Sequence, residues 1–439
     1  MKISIKNLLD PRLKVRRSLA ARKVKRKGKK KARKKELTRT WIQIPKLKLP
    51  VLFPAILVLA LASCVTISYF VFSKYASLEL NNETTWDGEA KQNILFAGMD
   101  RKENSYKFVD LLAVITIDPK TDTVGVFVLD PDIQISMEDG TKTTLRKSYN
   151  LEIGQRRGMQ NIIFGVEQVL AIEIDKHAAL DEETFFELEG FLDNFKGEVP
   201  ADIIEPEYLL DGEPFEMAKG NRGFSNKEVL GAVSADEAGI DNKLGLQTSI
   251  IRNYIAGIDN IEHVIKVILN LPKFSKVETN FSKTELVKLY YFFSGLNSAD
   301  IRVGFTRQSS LQAADTQAGI GKAMLVENID KDVQSIFLDA NVAKEQVRLE
   351  VLNGTEMAGL AGKYSRSFDN SGIRVVRTGN AISQSRETIL FVENPDDYSN
   401  TIEQIKIVFD GKIKIIEEEY KYKHIGNVVL VVGKDSLEE

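Results

Sequence analysis

The sequence predicts an α/β (α+β) chain: a single-span membrane anchor, a mixed sheet sandwiched by helices, and a small βαββαββ-type C-terminal domain. Three observations carry this. Residues 49–72 form a 24-residue stretch without a charge. From 92 to 307, β-rich runs punctuated by turns alternate with segments of helical spacing. A shorter series of the same kind fills 346–437. The 439 residues suffice for two or three domains with their own cores.

The net charge of −2 averages two opposite regions. Residues 1–49 carry 20 Lys and Arg against Asp10 and Glu36, and the chain after the apolar stretch has a balance of −20. As a helix, 49–72 would reach ~36 Å, enough to cross a hydrocarbon core of ~30 Å. Pro50 and Pro54 fall in its first turns, where a missing N–H costs little. Trp41, Tyr69 and Tyr75 suit the two interfaces. The basic flank sets the N-terminus inside, so the expectation is a single-pass plasma-membrane protein with its bulk extracytoplasmic. Cys64, the sole cysteine, leaves no disulfide framework. Leu61-Ala62-Ser63 before it resembles a lipobox, but the apolar run continues past it and favours an uncleaved anchor. The run 21–36 (ARKVKRKGKKKARKKE) reads as a solvated tail touching anionic lipid. No aromatic interleaves it, which speaks against nucleic-acid binding.

Beyond a basic tail (1–48), the anchor (49–73) and a polar stalk (74–91), order begins at 92. NILFAG (93–98) reads as a buried strand. LLAVITID (111–118) and VGVFVL (124–129) form a hairpin about the turn 119–122 (PKTD). Residues 159–171, 183–195, 244–258 and 261–270 have helical spacing, and Ser282 opens a further helix with Glu285 as a capping box. Residues 308–345 read as a linker. In the last domain, strands over 346–352, 372–376, 387–392, 412–416 and 427–432 alternate with helices over 356–370 and 401–409, the first capped by Thr355. Asp100, Asp110 and Asp132 at strand ends offer oxygen ligands to a divalent cation. The plainer reading is that they cap turns. His177, His263 and His424 are far apart and suggest no metal or nucleophile pairing. The phenylalanines at 185, 186, 191 and 195 read as core.

The stretches VRLEVLNGTEMAGLAGK, GIRVVRTGNA, RETILFV and VVLVVGKD make 347–435 resemble the LytR C-terminal domain. NILFAGMDR, VDLLAVITIDPKTDTVGVFVLDPD, Tyr149, GVEQVLAIEIDKH and TNFSKTELVKL make 92–307 resemble, more distantly, the domain of the LytR-CpsA-Psr family. The resemblance implies transfer of glycopolymers from a polyprenyl-pyrophosphate carrier to peptidoglycan, with Mg²⁺ and arginines on the pyrophosphate. Carried onto this chain, it assigns Asp110 and Arg101 as catalytic residues and Asp100, Asp110 and Asp132 as metal ligands. Arg101, Lys243 and Gln247 are the expected substrate contacts. The departures are Phe108, Pro131, Ser234 and Asp236, each standing where the family places an arginine. A charge-assisted contact to an anion is worth ~1.5–3 kcal/mol, so the site reads as degenerate. The favoured expectation is a non-catalytic family member binding polyprenyl lipid or wall glycan in envelope assembly. The alternative is an active Mg²⁺-dependent transferase, with Lys147, Arg156, Arg157, Lys219 or Arg222 replacing the lost arginines. A transcriptional attenuator has only the basic tail in its favour.

Overall fold

The computed structural model describes residues 86–437, apart from 102–105, 189–191, 193–194, 211–212, 259–260, 317–318 and 410. The anchor, Cys64, the basic tail and most of the stalk lie outside the described residues. Among the described residues no helix is long and apolar enough to cross a membrane.

Strands β1 (Gln92–Arg101), β2 (Lys107–Asp118) and β3 (Thr123–Leu129) form an antiparallel meander, held by the expected turn before β3. Here the Asp118 carboxylate accepts from Lys120 N and Thr121 Oγ1. The chain continues through α1 (Leu145–Ser148), α2 (Met159–Leu170), β4 (Lys176–Asp181) and α3 (Glu182–Glu187). A ribbon of β5 (Phe195–Val199) and β6 (Gly220–Phe224) leads to α4 (Asn226–Ser234), α5 (Ile240–Ala256) and α6 (Ile261–Asn270). Then come β7 (Glu278–Thr279), α7 (Lys283–Phe293) and β8 (Ile301–Phe305). The six strands stand in the order β7-β4-β1-β2-β3-β8, with β4 parallel to β1 and β8 parallel to β3.

Period-two alternation divides this sheet between two cores. Phe127 and Leu129 pack with Ile162, Val166 and Val169 of α2. Val124, Val126 and Val128, from the same strand, pack with Leu244 of α5 and Leu286 and Leu289 of α7. The capping box at Ser282 and Glu285 is present, and Glu285 does more: it accepts from Trp86 N at 2.6 Å and Lys176 Nζ at 2.9 Å. Lys288 Nζ donates to Trp86 O at 2.9 Å, so the buried Trp86 is clamped to α7.

Residues 308–345 are not a bare linker. They hold a hairpin of β9 (Leu311–Thr316) and β10 (Gly319–Met324), then α8 (Val326–Phe337) and α9 (Ala340–Lys344). Ile329, Val333, Ile336 and Phe337 of α8 are buried in the same core as Phe127. Small polar residues built the ribbon, and the apolar i, i+4, i+7 spacing behind it decides the packing. The segment 183–195 also departs from expectation. Its helix stops at Glu187, and Phe195 opens β5, where alternating burial replaces helical spacing.

The last domain contains β11 (Leu349–Asn353), α10 (Leu360–Ser371), β12 (Val375–Asn380), β13 (Ile389–Val392), α11 (Ser399–Val408), β14 (Lys414–Ile416) and β15 (Val428–Val432). Its sheet order is β12-β11-β15-β13-β14. Thr355 is not the helix cap. Asn353 Oδ1 accepts from Thr355 N and Oγ1 in a local turn, and α10 starts later, behind Gly359.

A polar latch at the C-terminus of α2 helps join this domain to the first. Arg366 of α10 holds Asp330 of α8 through two nitrogens, at 2.9 and 2.7 Å, and donates to the carbonyls of Gln168 and Val169. Asn370 takes the next carbonyl, Leu170, at 2.7 Å. These are the orphan acceptors at the C-terminus of α2, met by side chains instead of water. Arg366→Ala is expected to lower the unfolding free energy by about 2–4 kcal/mol, read from denaturant titration, and to expose 338–348 to limited proteolysis.

Candidate functional site

The site grows from an irregularity in the meander. Gly98 pairs with Leu111 and Met99 with Val109, so Asp110 has no partner opposite it on β1. This bulge turns the Asp110 carboxylate out of the ladder, and only 6% of the residue is exposed. Asp100, near the end of β1, lies opposite Phe108. Nothing is described of the Arg101 side chain.

A tight turn follows β3. Asp132 N donates to Asp130 Oδ1 at 2.9 Å, Ile133 N donates to Asp130 O, and Pro131 stands between. The Pro131 carbonyl accepts from Arg146 N at 2.6 Å, which fixes α1 over the turn. Arg146 then reaches three carboxylates. Its Nη1 binds Asp110, its Nε donates to Asp132 Oδ1 at 2.7 Å, and its Nη2 lies 3.7 Å from Asp236 Oδ1. Lys243, one turn into α5, places Nζ 2.5 Å from the same Asp236 oxygen. From the β10 ribbon, Lys322 Nζ binds Asp130 at 2.8 Å and lies 3.6 Å from Asp132. A cleft of about 290 Å³ opens among Asp130, Asp132, Arg146, Asp236, Lys243 and Lys322.

Burial pushes the Asp110 carboxyl above its ordinary range. Arg146 and Lys243 oppose that shift, while Asp100 and Asp236 add to it. Burial also works against the charge of Asp132, but Arg146 with its hydrogen bond, then Lys322, hold that carboxyl below the usual value. The Arg146 guanidinium is driven further into its charged form: burial opposes this, and Asp110 and Asp132 outweigh it.

Of the residues singled out in the sequence, Asp110, Asp132, Lys243 and Asp236 come together. Asp100 acts on Asp110 through its charge. Gln247 is buried behind the cleft, its Nε2 donating to Val233 O at 3.1 Å. None of the five cations weighed as replacements lines the cleft. Arg156 instead pairs with Glu138 at 2.6 Å, and Arg222 with Glu228. Besides Lys243, the cations that do line it are Arg146 and Lys322. For Arg146 a signal existed, the turn that returns the chain within fourteen residues of Asp132. For Lys322 there was none, since its pairing to Asp130 spans 192 residues.

Mg²⁺ needs near-octahedral oxygen ligands at ~2.1 Å. The expected carboxylates do not fit that need as arranged, because Asp110 and Asp132 both turn an oxygen to Arg146. Among the described residues no three His, Cys, Asp or Glu side chains are disposed to hold a metal ion.

Arg146→Met strands two carboxylates and is expected to lower the unfolding free energy by about 3–5 kcal/mol in denaturant titrations. The depressed Asp132 carboxyl stabilises the fold above the ordinary value of 3.8, and this is lost as pH falls through the lower folded value. Between about pH 5 and pH 2 the wild type should therefore lose more stability than Asp132→Asn.

Residues 68–199 match the LytR_cpsA_psr family, and residues 346–435 match LytR_C, described as LytR cell envelope-related transcriptional attenuator. A relative from Bacillus subtilis (strain 168), the polyisoprenyl-teichoic acid–peptidoglycan teichoic acid transferase TagV, is 25% identical over 243 residues. That alignment takes in 53% of this chain and 61% of the relative, so the chain spans under two thirds of its length. The crystal structure of B. subtilis TagV is 23% identical and covers 55% of this chain and 94% of its own, with a TM-score of 0.47. TagT bound to LIIa-WTA is 15% identical, covering 58% of this chain and 94% of its own, with a TM-score of 0.46. Both domains that the sequence resembled are thus present: the chain carries a LytR_cpsA_psr family domain and, behind it, a LytR C-terminal domain.

Proposed function

We propose that this protein is a membrane-anchored, extracytoplasmic member of its family that binds polyprenyl-linked wall glycopolymer without transferring it. The observation that supports this reading most is the internal pairing of the site. Arg146, Lys243 and Lys322, the cations of the cleft, each meet a carboxylate of the same cleft. Four carboxylates, at Asp110, Asp130, Asp132 and Asp236, stand against those three cations. A pyrophosphate would have to break these pairs in a field that is not positive, losing contacts worth ~1.5–3 kcal/mol each. The substrate class comes from TagV, whose name describes transfer of teichoic acid from a polyisoprenyl carrier to peptidoglycan. The anchor is the charge-free stretch 49–72, with the basic tail on anionic lipid.

One observation favours the second reading, an active transferase. Three cations from α1, α5 and β10 converge on one cleft, so the positive charge lost at Pro131 and Asp236 is partly returned from other segments. The two readings separate on the detergent-solubilised full chain. Solvent extraction and mass spectrometry should find co-purified polyprenyl phosphates. Incubation with a polyprenyl pyrophosphate and Mg²⁺ should release no phosphate above a protein-free control. Turnover that disappears in Asp110→Ala would overturn the non-catalytic reading and restore the transferase.

A further inference from the structure

Two cations of the cleft lie deeper than the carboxylate they share. The side chains of Lys243 and Arg146 are 7% and 14% exposed, whereas Asp236 is 65% exposed. One oxygen of Asp236, Oδ1, lies 2.5 Å from Lys243 Nζ and 3.7 Å from Arg146 Nη2. Asp236 sits in the short turn Asp236–Ala238, directly before α5, whose first residue Ile240 also lines the cleft. Its carboxylate is therefore held by two inward-facing cations beside the positive end of a 17-residue helix. That is the environment of a bound anion. The other three carboxylates differ. Asp110 and Asp130 are 6% and 3% exposed, and the Asp132 side chain, at 32%, is half as exposed as that of Asp236. Of the four carboxylates, Asp236 is the most exposed.

We propose that Asp236 is a built-in anion that fills a phosphate-binding subsite formed by Arg146, Lys243 and the start of α5, and thereby sets the affinity of the cleft for phosphoryl ligands. This rests on the reading that the site is self-paired, and it names the group responsible. An incoming phosphate oxygen and the Asp236 carboxylate compete for the same two cations. Removing the charge at 236 leaves Lys243 facing Asp110 and Asp132 and frees one lobe of Arg146 without disturbing its two shorter pairs.

The test uses inorganic pyrophosphate as the probe, titrated calorimetrically into the detergent-solubilised full chain without Mg²⁺. Asp236→Asn and Asp236→Ser should each bind pyrophosphate at least about tenfold more tightly than wild type. Asp236→Glu should bind as weakly as wild type. Adding Lys243→Met to Asp236→Asn should abolish the gain. Thermal melts identify any variant that fails to fold, and the serine variant covers the asparagine one. Unchanged affinity in the folded Asn and Ser variants would overturn the proposal. So would wild-type affinity equal to theirs, or a gain that survives Lys243→Met. These readouts are independent of turnover. A wild type that releases phosphate from polyprenyl pyrophosphate refutes the non-catalytic reading, whereas a flat response at 236 refutes only the internal anion.

Discussion

The contact on which the centre of this protein turns is the Arg146 guanidinium. It ties together a strand bulge, a turn and a helix-leading loop that come from three separate stretches of the chain. A buried guanidinium is tolerable only when its donors are met. Here Asp110 comes from the meander, Asp132 from the turn after β3, and Asp236 from the approach to α5. The arrangement gives the cleft its shape and also limits its chemistry. Charge that would serve a ligand is used on the protein itself, and Lys322 repeats the pattern on Asp130. Stability and anion affinity are therefore opposed at this position. A weaker internal pair would leave a stronger external site.

Much of the fold was legible because local patterns and global packing agree. The hairpin of β2 and β3 was visible as alternating β-branched runs around a turn, and the structure pairs them from Leu112–Leu129 to Asp118–Thr123. The α7 start was legible from Ser282 and Glu285. What could not be read was long range. Asp110 was identifiable as a residue type at a strand, but its outward aim depends on a one-residue slip against Gly98. Lys322 lies in a stretch of small residues whose ribbon form is decided by pairing, not propensity. The departures at Pro131 and Asp236 were legible as chemistry. Their consequence, a carboxylate held between two cations, required coordinates.

The joint between the domains shows a related economy. The C-terminus of α2 exposes carbonyls that its own helix cannot satisfy, and Ala171 leaves it in a left-handed conformation. Arg366 and Asn370 meet three successive carbonyls and the Asp330 carboxylate from one face of α10. Neither domain alone accounts for these four groups. The polar ends left by one domain are completed by the next, so the joint is specific in direction as well as position.

The Trp86 clamp has a mechanical consequence. Tension arriving along the chain from its N-terminal side meets the buried indole and the Glu285 and Lys288 contacts before it meets β1. The load passes into α7, and β1 stays under no direct pull while those contacts hold. Since β1 is an interior strand between β2 and β4, shielding it preserves the register that aims Asp110. The clamp thus works as a strain relief, keeping the geometry of the cleft independent of force that reaches Trp86 along the chain.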